Sequence, residues 1–179
     1  MAAKLHNEQK RKEDDLPYVS HPFSVAWILN SYNASENEII AGLLHDVLED
    51  VEKEMYTAEQ MKDDFGAEIL KIVQEVSENK DASITKEEEI RTWKNRKEKY
   101  LEHLKVASRE AMMVCAADKI HNLKSLSLSL TAQGENTWNH FNAGKLEIAW
   151  YQKGIVEILE QRLDSPIVSE LKNLTNTIF

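Results

Sequence analysis

The sequence predicts an all-α fold, a single-domain helical bundle, and three observations carry that expectation. Apolar residues recur at helical spacing in one stretch after another, as in Ile69, Ile72, Val73 and Val76, or Ile90, Trp93, Tyr100, Leu101 and Leu104. Start and stop signals bracket those stretches: Thr57 with Gln60 and Thr85 with Glu88 read as capping boxes, and Gly66 as a C-terminal stop. Glycine and proline are scarce, 5 and 3 in 179 residues, and 42% apolar with 30% charged side chains is the composition of a folded helical protein, not of a disordered chain. A chain of this length buries a core without staples, so residues 1–179 are expected to form one domain.

Charge and cysteine content narrow the function classes. A formal net charge of −9 argues against a nonspecific partner of DNA or RNA polymers, because a phosphate backbone is repelled at long range. A small phosphorylated substrate remains open, since local Lys and Arg side chains form an anion pocket whatever the overall charge. Cys115 is the only cysteine, which leaves neither a disulfide framework nor a cysteine-based zinc site and makes a reducing cytoplasm the expected location. The first 15 residues are polar, and no apolar run is long enough to span a bilayer, so no membrane partner is expected.

Taken in order, the charged residues 1–15 read as a frayed helix ending against the core. Ser20 is placed to cap a helix beginning near Pro22, with Val25, Ala26, Ile28 and Leu29 on its apolar face. His21 then sits at a helix start, held by Pro17, Tyr18 and Pro22, as a structural histidine or as a ligand. Residues 37–51 read as one helix. At about 100° per residue, His45, Asp46, Glu49 and Asp50 share an arc of roughly 140°, opposite Ile40, Leu43, Leu44, Val47, Leu48 and Val51. Gly42 lies on the polar side one turn earlier and leaves room for a close approach to the backbone. That face is either a solvated acidic stripe or one side of a metal-centred site.

Residues 78–84 read as a loop near the site, and a long helix opens at Thr85. Its second face is basic, with Arg91, Lys94, Arg96, Lys97 and Lys99 crowded together; these are solvated partners of neighbouring glutamates or cations that hold phosphate. In the next helix, 108–130, Asp118 and Asn122 fall where the periodicity expects apolar residues. A buried carboxylate is costly unless paired or metal-bound, so Asp118 calls for a partner, a salt bridge or a shared metal. Leu130 to Gly134 reads as a turn, residues 135–163 as one long helix supplying Trp138, Phe141 and Tyr151 to the core, and Ser165-Pro166 as the start of a short terminal helix.

If His21, His45, Asp46 and Asp118 converge, two imidazoles and two carboxylates make a mixed nitrogen and oxygen shell for one divalent metal ion. Mn²⁺, Fe²⁺ and Zn²⁺ are alike suited to it, and Mg²⁺ less so because it prefers oxygen. Such an ion lowers the pKa of water and polarises a phosphoryl oxygen. Glu49 and Asp50, one turn on, are then free to move protons.

These residues resemble the metal-binding signature of the HD-domain phosphohydrolase superfamily. More narrowly, Arg11-Lys12, the run from Pro17 to Pro22, the run from Leu43 to Asp50, Phe65-Gly66 and the run from Ala117 to Leu123 are similar to the hydrolase domain of RelA/SpoT enzymes and their small stand-alone relatives. The resemblance spans about residues 11–123, leaving 124–179 as C-terminal helices that close the core. It implies an all-helical HD domain and Mn²⁺-dependent removal of the 3′-pyrophosphate from ppGpp and pppGpp, with another nucleotide or phosphorylated cofactor, or a non-catalytic nucleotide-binding module, as alternatives. Carried onto this chain, it makes His21, His45, Asp46 and Asp118 metal ligands, Glu49 and Asp50 the catalytic acidic pair, and Arg11, Lys12 and Asn122 neighbours of the nucleotide. Lys94, Arg96 and Lys97 are added as substrate-binding candidates from the basic helix. The chain departs from that pattern at Val47 and Val51, where threonines are usual, at His121 in place of a tyrosine, and in a longer segment from Lys80 to Ser108.

Overall fold

The structure, a computed structural model, describes residues 1–11, 16–52, 54–78 and 85–179. Among these the regular elements are helical, and the one β-type pairing is an isolated antiparallel bridge between Lys10 and Pro17. The helices run α1 Ala2–Leu5, α2 Ser20–Ser31, α3 Glu36–Leu44, α4 Val47–Asp50, α5 Ala58–Phe65, α6 Ala67–Val76, α7 Lys86–Leu104 and α8 Arg109–Gln133. A 3₁₀ segment, Gly134–His140, then leads to α9 Lys145–Arg162 and α10 Pro166–Ile178.

Helix α8 is the axis of the bundle because its sequence permits nothing else. Ala111 to Ala117 are buried without interruption, so this stretch is apolar around its whole circumference and needs neighbours on every side. It has them in α2, α3, α6, α9, α10 and the 3₁₀ segment. Two acidic side chains fix its start. Ser108 caps the helix by accepting from the Ala111 amide at 3.2 Å and is itself gripped by Glu75 at the end of α6. Arg109 meets the buried carboxylate of Glu38 at 3.0 Å. Glu38 also completes a capping box with Ser35, so one side chain ties the first turn of α3 to the first turn of α8.

The capping boxes at Thr57 and Thr85 form as expected, and Gly66 joins α5 to α6 at φ +91, a conformation that favours glycine. Five expectations need correction, the first being the turn read at Leu130 to Gly134, where α8 continues through Gln133. The stretch 37–51 is not one helix: α3 stops at Leu44 and α4 starts at Val47. The cause is local, for the His45 ring nitrogen Nδ1 lies 2.8 Å from the Gly42 carbonyl, the acceptor that a continuing helix would offer to the Asp46 amide. The Asp46 carbonyl then starts a fresh turn by accepting from Glu49 and Asp50. Ser20 does not cap α2; Val19 holds that position, and the Ser20 hydroxyl donates to the Pro17 carbonyl at 2.8 Å. The frayed N-terminal helix is a single turn, Ala2–Leu5, with His6 buried after it. Residues 135–163 are not one helix either, because the 3₁₀ segment and a bend from Phe141 to Gly144 precede α9. The expected loop at 78–84 falls, after Glu78, outside the described residues.

Gly42 does accept a close neighbour, but the neighbour is a helix. A Cβ at this position would stand 2.5 Å from Leu29 Cδ1, so the missing side chain lets α2 press against α3. The same two helices carry His21 at the head of α2 and His45 just past the end of α3. No helix among the described residues is long and apolar enough to cross a membrane.

Candidate metal centre and substrate cleft

Three helices deliver the donor atoms. His21 enters from the first turn of α2, His45 and Asp46 from the break between α3 and α4, and Asp118 from the middle of α8. His21 Nε2 lies 3.2 Å from His45 Nε2 and 3.1 Å from Asp118 Oδ1. Asp46 Oδ2 approaches the same centre, 3.0 Å from His45 Nε2 and 3.5 Å from His21 Nε2. His21, His45 and Asp118 each offer a ligand atom within 4.8 Å of the others.

These residues fit a divalent cation. With bonds of about 2.1 Å, adjacent ligand atoms of a metal stand on the order of 3 Å apart, which is the spacing seen. Two imidazole nitrogens aimed at one point are unfavourable as neighbours unless a cation or protons lie between them. The outer nitrogen of His45 is committed to the Gly42 carbonyl, which turns its Nε2 toward the centre. Burial alone would push the His45 imidazole down, but the Asp46 and Asp118 carboxylates hold it well above its ordinary value. Burial likewise opposes the Asp118 charge, yet the Lys119 ammonium at 2.7 Å and the two histidines keep its carboxyl well below the usual range. Asn122 donates to its other oxygen at 2.6 Å, so Asp118 stays ionised and fixed in direction.

Around this cluster lies a cleft of about 520 Å³. Glu49 and Asp50 line it beside the ligand atoms. Glu49 Oε2 accepts from the Glu78 backbone amide at 3.0 Å. The Tyr18 hydroxyl donates to Asp46 at 2.6 Å and also reaches Asp50 at 3.1 Å, so one phenol spans a donor residue and an acidic neighbour. Burial, with Asp46 and Asp50 alongside, raises the Tyr18 pKa far enough to keep this phenol a donor. Gln9 holds the Asp50 carbonyl at 2.8 Å from the opposite wall.

The cations of the cleft come from Lys10, Arg11, Lys97 and Lys119. Glu78 is buried, and its carboxylate clamps both Lys97 and Arg96. Burial, with Lys119 adding to it, lowers the Lys97 pKa while Glu78 opposes the change. Cys115 is no rival nucleophile, because burial pushes its thiol up.

A profile of the HD domain matches residues 1–149. The chain belongs to the HD-domain family. Within that family it is similar to a Xenopus tropicalis protein named guanosine-3′,5′-bis(diphosphate) 3′-pyrophosphohydrolase MESH1, with 33% identity over 168 residues, 91% of this chain and 87% of that one. Its fold matches a metazoan ortholog of SpoT, whose structure is described as that of a protein hydrolysing ppGpp, at a TM-score of 0.76 and 27% identity over 98% of this chain and 90% of the other. A crystal structure from Listeria monocytogenes EGD-e matches at a TM-score of 0.75 and 29% identity, covering 89% of this chain and 98% of that one. An HD domain carrying this cluster of two histidines and an aspartate implies a divalent metal.

Of the residues singled out in the sequence, His21, His45, Asp46, Asp118, Glu49, Asp50, Arg11, Asn122 and Lys97 all border the HD-domain cleft. Arg96 and Lys94 do not line it: Arg96 lies behind the wall on Glu78, and the Lys94 ammonium sits 5.2 Å over the Trp150 ring. Lys12 is outside the described residues. Sequence reasoning missed Lys10, Glu78 and Lys119 as parts of the cleft and gave Tyr18 only a scaffolding part. Lys119 had a visible signal in its adjacency to Asp118. Glu78 was read only as the start of a loop near the site, since its hold on Glu49 is made by a backbone amide, which no residue type announces.

Proposed function

We propose that this protein is a metal-dependent phosphohydrolase that removes the 3′-diphosphate of a guanosine 3′,5′-bis(diphosphate), converting ppGpp or pppGpp and water to GDP or GTP and pyrophosphate. The observation that carries this reading is the placement of Glu49 and Asp50 against the donor cluster of His21, His45, Asp46 and Asp118 in a cleft that also holds cations. The names of the similar proteins point to the same substrate.

The four donor residues would hold the cation, a shell of two nitrogens and two carboxylates being suited to Mn²⁺, Fe²⁺ or Zn²⁺, with Mn²⁺ the ion that the family resemblance implies. When bound, it supplies Lewis-acid polarisation of the phosphoryl group and a lowered pKa for water. The rest belongs to the side chains. Glu49, oriented by the Glu78 amide, takes the proton of the attacking water. Asp50, steadied through Tyr18 and Gln9, relays a proton from solvent to the 3′ oxygen as its bond to phosphorus breaks, and Glu49 gives the water's proton back to solvent once the products leave. Arg11, Lys10 and Lys97 receive the phosphate oxygens, and Lys97 exchanges part of its contact with Glu78 for the ligand. Asn122 acts through Asp118, whose orientation it fixes. A reducing cytoplasm suits this reading and the free, buried Cys115.

The test is a product analysis. Purified protein with Mn²⁺ is incubated with ppGpp, pppGpp and a panel of nucleoside phosphates and phosphorylated cofactors. Pyrophosphate and GDP from ppGpp are expected. Orthophosphate from another compound would move the substrate elsewhere within the same chemistry, and tight binding of ppGpp without turnover would make the chain a nucleotide sensor.

A further inference from the structure

His121 lies on α8 three residues after Asp118 and takes no part in the chemistry set out above. Its ring meets His21 across the interface of α2 and α8, Nδ1 to Nδ1 at 2.8 Å, with ring centroids 4.8 Å apart. Nitrogen to nitrogen at that distance is a hydrogen bond, and one proton lies in it.

Proton counting decides which ring owns that proton. His21 Nε2 is the atom facing Asp118 Oδ1 at 3.1 Å and His45 Nε2 at 3.2 Å, so it is the nitrogen turned to the cation and must offer a lone pair there. A neutral imidazole has one N–H, and with Nε2 given to the cation the proton of His21 resides on Nδ1. His21 is therefore the donor in the pair and His121 Nδ1 the acceptor. His45 makes the comparison plain: its own Nδ1 finds the Gly42 carbonyl at 2.8 Å. A backbone carbonyl in one case and an imidazole in the other perform the same task, holding the outer N–H so that the inner nitrogen points at the metal.

We infer that His121 is a positioning residue for the metal centre: it fixes the tautomer and ring direction of His21, so the affinity of the site for its cation depends on an acceptor at residue 121. The inference rests on the metal-centre reading above. It also explains how α8 contributes twice, once through the Asp118 oxygen and once, three residues on, by aiming a ligand that belongs to another helix.

The experiment measures metal affinity, independently of turnover. Calorimetric titration of the purified chain with Mn²⁺, and of a Co²⁺-loaded sample followed by its visible absorption, is compared for the parent, His121→Phe and His121→Asn. Phenylalanine keeps a ring in place and removes the acceptor; asparagine places an amide oxygen close to where Nδ1 stands. The expected result is a loss of about 10- to 100-fold in Mn²⁺ affinity for His121→Phe, with an altered Co²⁺ spectrum, and recovery to within about threefold of the parent for His121→Asn, a margin below the tenfold step that second-shell losses reach. Should His121→Phe fail to fold, His121→Ala takes its place against the asparagine variant. Parent-like affinity in the phenylalanine or alanine variant overturns the inference and leaves the metal centre intact, as does an equal loss in the asparagine variant, which would mark a packing role. A parent chain that takes up neither cation overturns the metal-centre reading itself, and the inference with it.

Discussion

Glu49 and Asp118 are carboxylates of one cleft, yet their surroundings predict different consequences of removing their charge. Asp118 is locked among Lys119, Asn122 and two histidines, all of them neighbours of a cation position. Asp118→Ala should abolish Mn²⁺ binding in a titration, and full occupancy in that variant would show the ligand to be misassigned. Glu49 is fixed through the Glu78 amide, from which a glutamine oxygen accepts equally well. Glu49→Gln should therefore keep metal and substrate affinity while the rate falls about 10²-fold or more; an unchanged rate would take Glu49 out of the mechanism. Both residues were legible in the sequence because each sits in a short run of polar groups beside apolar ones. Tyr18 was visible only as part of the scaffold around His21, and its bridge from Asp46 to Asp50 exists only once residues 18 and 46–50 are brought together.

At the scale of the element, periodicity located most helices and their caps but not the break at His45. A helical wheel assumes that each carbonyl waits for an amide four residues on, and it cannot register a side chain that takes that carbonyl first. Periodicity also passed over the 3₁₀ segment, because Trp138 within it and Phe141 just after it satisfy a helical pattern that the backbone does not follow. Gly42 shows the opposite case, a sequence signal whose direction was right and whose partner was not foreseen. The close approach is made by the end of the Leu29 side chain, with the Ala26 backbone at ordinary contact distance, so Gly42→Ala obliges the buried Leu29 to repack between α2 and α3. Overpacking of this kind costs about 1–3 kcal/mol, and a shift of α2 that relieves it would separate His21 from His45. The variant should lose thermal stability and Mn²⁺ affinity together. A loss of stability with parent-like affinity would mean that the two helices yield elsewhere and that their contact does not set the spacing of the donors.

Across the whole molecule, the proposed donors come from positions 21, 45, 46 and 118, so one bound cation would join the head of α2, the break after α3 and the middle of α8. The unfolded chain has no such arrangement, and an ion that binds only the folded state adds its binding free energy to stability. At a free Mn²⁺ concentration 100 times its Kd the gain is about 2.7 kcal/mol. For a chain of this size each kcal/mol moves Tm by about 2–4 °C, so saturating Mn²⁺ should raise Tm by about 5–10 °C in a thermal scan, and excess EDTA should reverse the rise. The control lies within the same geometry. Asp118→Ala removes the one donor on α8 and with it the link between α8 and the other two helices, so its Tm should not respond to Mn²⁺. An equal shift in that variant would place the stabilising ion away from the HD-domain cleft, and a parent chain indifferent to both Mn²⁺ and EDTA would deny the cation any part in holding the three helices together.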